Sequence, residues 1–218
     1  ADTPITMTRN RAVNIARELG ADFILMVDSD QSPDFHLGPD ADFQDKEAQP
    51  FWDSSFDFLY KHWSKGPCMI GSPYCGPPQF QENVYVFHWA NNISGNPNSD
   101  YRLEAYTRHE AARLSGIQEA AALPTGLILF DIRCFDLVEP PYFYYEWKDK
   151  YQAEKGSTED VTATRDIAIN GCEKLGYNPV NCNWSSWAGH WKPKCVGKPM
   201  LITASDVSQK LKTAVLEG

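Results

Sequence analysis

Gly20-Ala21-Asp22-Phe23-Ile24-Leu25-Met26-Val27-Asp28-Ser29-Asp30 is the stretch from which the rest of the chain is best read. Five consecutive apolar residues, Phe23 to Val27, predict a strand buried on both faces. The segment before it, Thr8 to Leu19, carries Ala12, Ile15, Ala16 and Leu19 at helical spacing, with Thr6 or Thr8 to cap its start and Gly20 to end it. A helix running into a buried strand is the step of an α/β fold. The strand delivers two carboxylates, Asp28 and Asp30, to the carboxyl end of a sheet, where ligands of open α/β sheets gather. Two acids placed there can hold a hard divalent cation, and through it a diphosphate.

Working outward, Gln31 to Pro50 is an acidic loop with Pro33, Gly38, Pro39 and Pro50, and Phe51 to Trp63 has Phe56, Leu59, Tyr60 and Trp63 at helical spacing. Residues 31–65 thus form a loop-plus-helix insertion. Short strands are expected at Cys68–Ile70, Gln81–Ala90 (edge or hairpin), Tyr101–Tyr106 and Leu127–Phe130, with a core element over Gly116–Leu123 and a short helix over Ile132–Val138. Thr158 to Leu175 is predicted as a helix closed by Gly176, and residues 205–218 as a C-terminal amphipathic helix. The expectation is one domain over residues 1–218, of α/β class, with a mixed, mainly parallel sheet flanked by helices.

Composition narrows the function. A net charge of −9 opposes a nucleic-acid backbone as the main partner, because phosphate contacts need clustered Lys and Arg. No apolar run approaches the roughly 20 residues of a membrane span, and Ala1 to Thr8 has no signal-peptide pattern, so a cytoplasmic location is expected. The six cysteines contain no C-x-x-C pair, which removes zinc-ligand spacing. They read as reduced thiols, although an even count also admits disulfides. Seven tryptophans, crowded toward the C-terminal half, suit sugar-binding platforms, cores or interfaces alike.

Three further constellations carry chemistry. Ser157-Thr158-Glu159-Asp160 opens a helix, where acids favour the first turn; the sharper reading makes Asp160 a general base beside Glu159. Trp184 to Lys192 sets His190 among small and aromatic residues, as a core residue, a rim residue or a metal ligand, with Lys192 and Lys194 available to a diphosphate. Arg9-Asn10-Arg11 lies at a helix start, which favours anions. A second D-x-D, Asp40 and Asp42, has no strand ahead of it and reads as a solvated loop.

In this order the set resembles the GT-A fold glycosyltransferases, in particular family-2-like enzymes, over roughly Thr8 to Lys194. The Arg-Asn-x-Ala helix (Arg9, Asn10, Ala12) precedes the strand ending in the D-x-D motif; Thr125 to Phe130, Pro140 to Phe143, the Glu159-Asp160 pair and Gly189-His190-x-Lys192 follow. The resemblance implies a metal-dependent, inverting transfer of a sugar from a nucleoside-diphosphate donor to an acceptor hydroxyl on a glycan or other molecule. It implies Asp28, Asp30 and His190 as ligands of Mn²⁺ or Mg²⁺, and Asp160 as base with Glu159 beside it. Arg9 would lie near the nucleotide, Thr125 and Gly126 beside the donor sugar, and Trp187 and Lys192 on the substrate side. Relative to that family the chain starts late, at the Arg-Asn helix, so the expectation is a fragment, a second chain or segment that supplies the nucleotide-binding strands, or a nucleotide pocket built differently. Two rivals use the same residues: a nucleotidyltransferase, and a catalytically silent binding or assembly module on the same scaffold.

Overall fold

The computed structural model describes residues 4–38, 47–76, 84–90 and 101–191, with the backbone of 195–196. The second D-x-D, Lys192, Lys194 and the C-terminal segment 205–218 lie outside the described residues. In chain order the elements are α1 (Ile5–Glu18), β1 (Phe23–Val27), β2 (Gln31–Ser32), α2 (Phe51–His62), β3 (Met69–Gly71), β4 (Phe87–Trp89), β5 (Leu103–Ala105), α3 (Arg108–Ala111), β6 (Ile117–Glu119) and β7 (Leu127–Asp131). They continue as β8 (Glu146–Trp147), β9 (Lys155–Ser157), α4 (Glu159–Leu175), β10 (Val180–Asn183), β11 (Gly189–Trp191) and β12 (Cys195–Val196).

The class is α/β. Five strands form the main sheet in the order β1-β7-β3-β10-β6. Alternation along these strands splits the core in two. Met26, Met69, Ile128, Phe130, Val180 and Cys182 pack with Val13 of α1 and Ala163, Ile167 and Ala168 of α4. Ile70, Leu127 and Leu129 pack on the other side with Phe51 and Leu59 of α2. Helices therefore cover both faces, as expected. The orientation differs from expectation: only β3–β10 is a parallel ladder, and β1–β7, β3–β7 and β10–β6 are antiparallel. For two of these ladders the cause is β7, a buried apolar strand that enters between β1 and β3 running against both; the third is made by β6 at the far side of the sheet.

β1 spans the predicted residues but is not buried on both faces. Among the described residues it is the edge of the sheet, and Leu25 and Val27 are 42% and 46% exposed. The Asp28 N–H bonds the Gly126 carbonyl and the Ile132 N–H bonds the Asp22 carbonyl, so the even residues of β1 pair with β7. Phe23, Leu25 and Val27 aim their backbone groups the other way, where no strand pairs among the described residues. A run of five apolar residues cannot distinguish a central strand from an edge strand whose second face is open.

Helix α1 begins one turn earlier than predicted, with Pro4 at its N-cap and no side-chain cap, so Thr6 and Thr8 lie inside it. The proline's restricted φ sets the entry in place of a hydroxyl. Gly20 closes the helix in the left-handed region (φ 66°), and Gly176 does the same for α4 (φ 78°). Cys68, Cys134, Cys172 and Cys182 are free thiols. Among the described residues no helix is long and apolar enough to cross a membrane.

Candidate functional site

A small sheet brings the distant C-terminal motif to the acidic loop. β11 pairs antiparallel with β2, setting His190 opposite Gln31 and Gly189 opposite Ser32, and the Trp191 N–H donates to the Asp30 carbonyl at 2.7 Å. His190 Nδ1 lies 2.7 Å from the Cys75 carbonyl oxygen, which can only accept, so Nδ1 is the donor in this contact. Nε2 then points at Asp30, 3.3 Å from Oδ2. An imidazole held by a backbone carbonyl with its other nitrogen beside a carboxylate is the arrangement that orients a metal-ligating histidine.

Asp28 is held differently. Arg9, buried in α1, makes a bidentate contact with it at 2.9 and 3.1 Å and reaches Glu159 Oε1 with its other nitrogen at 2.7 Å. The guanidinium fork ties the start of α1, the end of β1 and the start of α4 together. Arg9 is therefore saturated by carboxylates, and Asp28 and Glu159 share its charge. Among the described residues no group of three or more His, Cys, Asp or Glu side chains converges to hold a metal ion. Of the three expected ligands, Asp30 and His190 meet and Asp28 is turned toward Arg9.

Asp160 sits at the start of α4, accepting from the Thr158 hydroxyl at 2.5 Å and the Val161 N–H at 2.8 Å through Oδ1. Two cavities meet at it. One, of about 670 Å³, is lined by Arg9, Asp28, Asp30, Glu159 and Asp160, four carboxylates against one guanidinium. The other, of about 570 Å³, is mostly apolar, with Tyr74, Tyr85, Phe87 and Pro124 as walls and His190, Thr158 and Asp160 on its rim. Asp30 lines the first and His190 the second, so their contact lies between the two chambers.

Tyr74 was not singled out by the sequence. Its ring lies against Gly126, where a Cβ would come within 2.7–2.9 Å of three of its atoms, and it meets His190 edge-on at 5.0 Å. Burial first, then the charges of Asp160 and Asp28, push its phenol well above the ordinary value. The phenol therefore stays protonated as a donor in a cleft rich in acceptors. The only legible sign of this contact is a glycine directly ahead of a fully buried strand, a mark of close approach.

The remaining expected residues are placed plainly. Gly126 backs Tyr74 and its carbonyl holds the Asp28 N–H at 2.8 Å. Thr125 is fully buried, with a hydroxyl that has no partner among the described residues, and does not line either chamber. Trp187 is a core residue, 2% exposed and tilted against Trp184 at 5.8 Å, so it offers no substrate platform. Asn10 clamps the Pro140–Phe143 segment: its amide donates to the Phe143 carbonyl at 2.8 Å and accepts the Phe143 N–H at 3.1 Å.

No family model and no curated protein matches the chain. Among solved structures it is similar to one described as the crystal structure of A197 from STIV, with 11% identity over 93% of this chain and 80% of that one and a TM-score of 0.48. Similarity at that level assigns neither a fold family nor a function.

Proposed function

We propose that the protein is a GT-A-like, metal-dependent glycosyltransferase that moves a sugar from a nucleoside-diphosphate donor to an acceptor hydroxyl with inversion. The observation that carries this reading is the position of Asp160, the carboxylate common to an acidic chamber and an apolar one. An acid there can take the proton of an acceptor hydroxyl while the donor lies on its other side. A diphosphate needs cations in a chamber of four carboxylates, and Arg9 is already shared by two of them. Asp30 and His190 are the donors that fit Mn²⁺ or Mg²⁺; magnesium in particular uses one or two protein ligands and completes its shell with phosphate oxygens and water. When bound, such an ion supplies charge stabilisation for the leaving diphosphate. Asp28, Arg9 and Glu159 hold the chamber's shape, and Tyr74 closes the apolar side over Gly126.

The open edge of β1 favours a partner strand. Its outward backbone groups and the exposed Leu25 and Val27 carry no proline, lysine or bulge of the kind that protects an edge. A strand from a second chain or segment laid there would complete the wall of the acidic chamber. A second reading, a silent binding module, is favoured by the Arg9–Asp28 pair and the lack of a three-ligand group among the described residues.

Calorimetry with Mn²⁺ and UDP-, GDP- and dTDP-sugars separates the two. Heat with one donor, lost in Asp30→Ala, supports the transferase; no heat with any donor supports the silent module. Asp160→Asn should abolish transfer with donor binding kept. Free nucleoside diphosphate as product supports sugar transfer, and pyrophosphate would instead indicate a nucleotidyltransferase.

A further inference from the structure

A third cavity, of about 950 Å³, lies on the opposite side of α1 from the acidic chamber, between that helix and the aromatic segment 140–147. The helix divides them by its periodicity: Ile5, Thr8, Arg9 and Ala12 face the acids, and Thr6, Asn10 and Asn14 face this groove. In a chain with 29 acidic residues against 20 basic ones, the lining contains no carboxylate and a single charge, Arg11. A groove spared the prevailing charge of its surface is not built for a cation, and one arginine is too little for a polyanion.

Its chemistry has two parts. Tyr145 and Trp147 are half-buried rings 6.1 Å apart and inclined by 51°. Lys155, which is not in the lining, braces both, with Nζ 3.9 Å from the Tyr145 centroid and 5.9 Å from that of Trp147. Facing them, the side chains of Arg11, Asn14 and Gln152 spend no hydrogen bond on the rest of the described residues. The wall itself is fixed, because Asn10 bonds both backbone groups of Phe143. Burial first, then the charge of Glu159, raises the Tyr145 phenol above its ordinary value.

We propose that this groove is a carbohydrate-binding subsite, in which Tyr145 and Trp147 stack on the apolar face of a sugar ring while Arg11, Asn14 and Gln152 bond its hydroxyls. Rings that offer a face, set beside planar polar groups that lack partners, match a ligand with one apolar and one hydroxylated surface. A proline-rich peptide would use the rings and leave the amides idle, which is why the sugar is preferred. The β8–β9 hairpin joins the groove to the catalytic region: Trp147 and Tyr145 flank Glu146, which pairs with Ser157 of the apolar chamber's rim. If the transferase reading holds, the groove takes the distal rings of a glycan acceptor, but the subsite itself stands without it.

The test is binding to the full chain followed by NMR, reading the Trp147 indole N–H assigned with Trp147→Phe. The probes are maltohexaose, cellohexaose and chitohexaose, with a deca-proline peptide alongside. One oligosaccharide should shift that resonance saturably, and both Asn14→Leu and Trp147→Ala should weaken binding at least tenfold. Asn14 is exposed on α1, so its substitution keeps the test valid should the tryptophan variant fail to fold. Asp160→Asn should bind the same probe unchanged. Sugar binding without donor turnover keeps the subsite and removes the transferase. No shift with any hexasaccharide, a shift only with the peptide, or binding indifferent to Asn14→Leu overturns the subsite.

Discussion

Arg9→Met is the substitution whose cost the structure fixes best. Methionine keeps the aliphatic stem and removes the guanidinium, which makes three contacts of 2.7–3.1 Å with Asp28 and Glu159. The Arg9 and Glu159 side chains are 7% and 9% exposed, so removing the cation strands a buried carboxylate. Breaking a buried pair in this way costs about 3–5 kcal/mol. Asp28 is 36% exposed, and water screens its share, adding at most about 1 kcal/mol. At roughly 2–4 °C per kcal/mol for a chain of this size, the melting temperature should fall by roughly 6–24 °C. Urea unfolding at pH 7, followed by fluorescence and circular dichroism together, measures the loss. Arg9→Met/Glu159→Gln separates charge from packing, because glutamine keeps the shape of Glu159 without its charge, and the double variant should recover at least half of the deficit. A single-variant loss under about 1 kcal/mol, or a double variant no better than the single, would refute the claim that Arg9 holds two acids in place.

Gly126→Ala should cost about 1–3 kcal/mol in the same unfolding assay, since the new Cβ meets the Tyr74 ring under 3.0 Å; unchanged stability would mean that the ring swings away freely. Asn10→Leu leaves the Phe143 N–H and carbonyl unpaired at about 1–3 kcal/mol per buried group, and limited proteolysis should then cut within residues 140–147. Stability should also fall on the alkaline side. Burial first, then the Asp131 charge, pushes the Cys68 thiol up to about 12 from 9.0, and burial likewise pushes the Tyr144 and Tyr177 phenols up to about 12 from 10.0. Each folded-state value lies above its unfolded one, so the contribution is complete below pH 9.0 and is lost as pH rises from there toward about 12. A melting temperature that stays level from pH 9 to 11 would contradict it.

What the sequence made legible was local. β1, α2, β7 and α4 follow from apolar runs, 3.6-residue stripes and a closing glycine, and all were placed within a few residues. Pairing was not legible, because strand direction depends on how β7 returns between β1 and β3, and no residue type encodes that. Exposure of Leu25 and Val27 escaped for the same reason: it depends on sheet order. Asp30 and His190 were expected together and do meet, through the β2–β11 ladder. Trp187 read as a platform because aromatic content says nothing of depth, and its ring fills the core instead.

The division between the two aspartates has a geometric cause. Residues two apart share a face only while the chain is extended. After Val27 it is not: the Gln31 N–H donates to the Asp28 carbonyl at 3.0 Å, closing a turn over Asp28-Ser29-Asp30-Gln31. The turn sends Asp28 toward α1 and α4, where Arg9 waits, and Asp30 toward β11, where His190 stands. One short acidic motif thus yields an acid that binds the scaffold together and an acid left beside an imidazole. On the proposed metal-dependent reading, Asp28→Asn should lower the urea midpoint while Mn²⁺ affinity measured by calorimetry is largely kept, and Asp30→Asn should do the reverse. The contrast follows from a single backbone hydrogen bond.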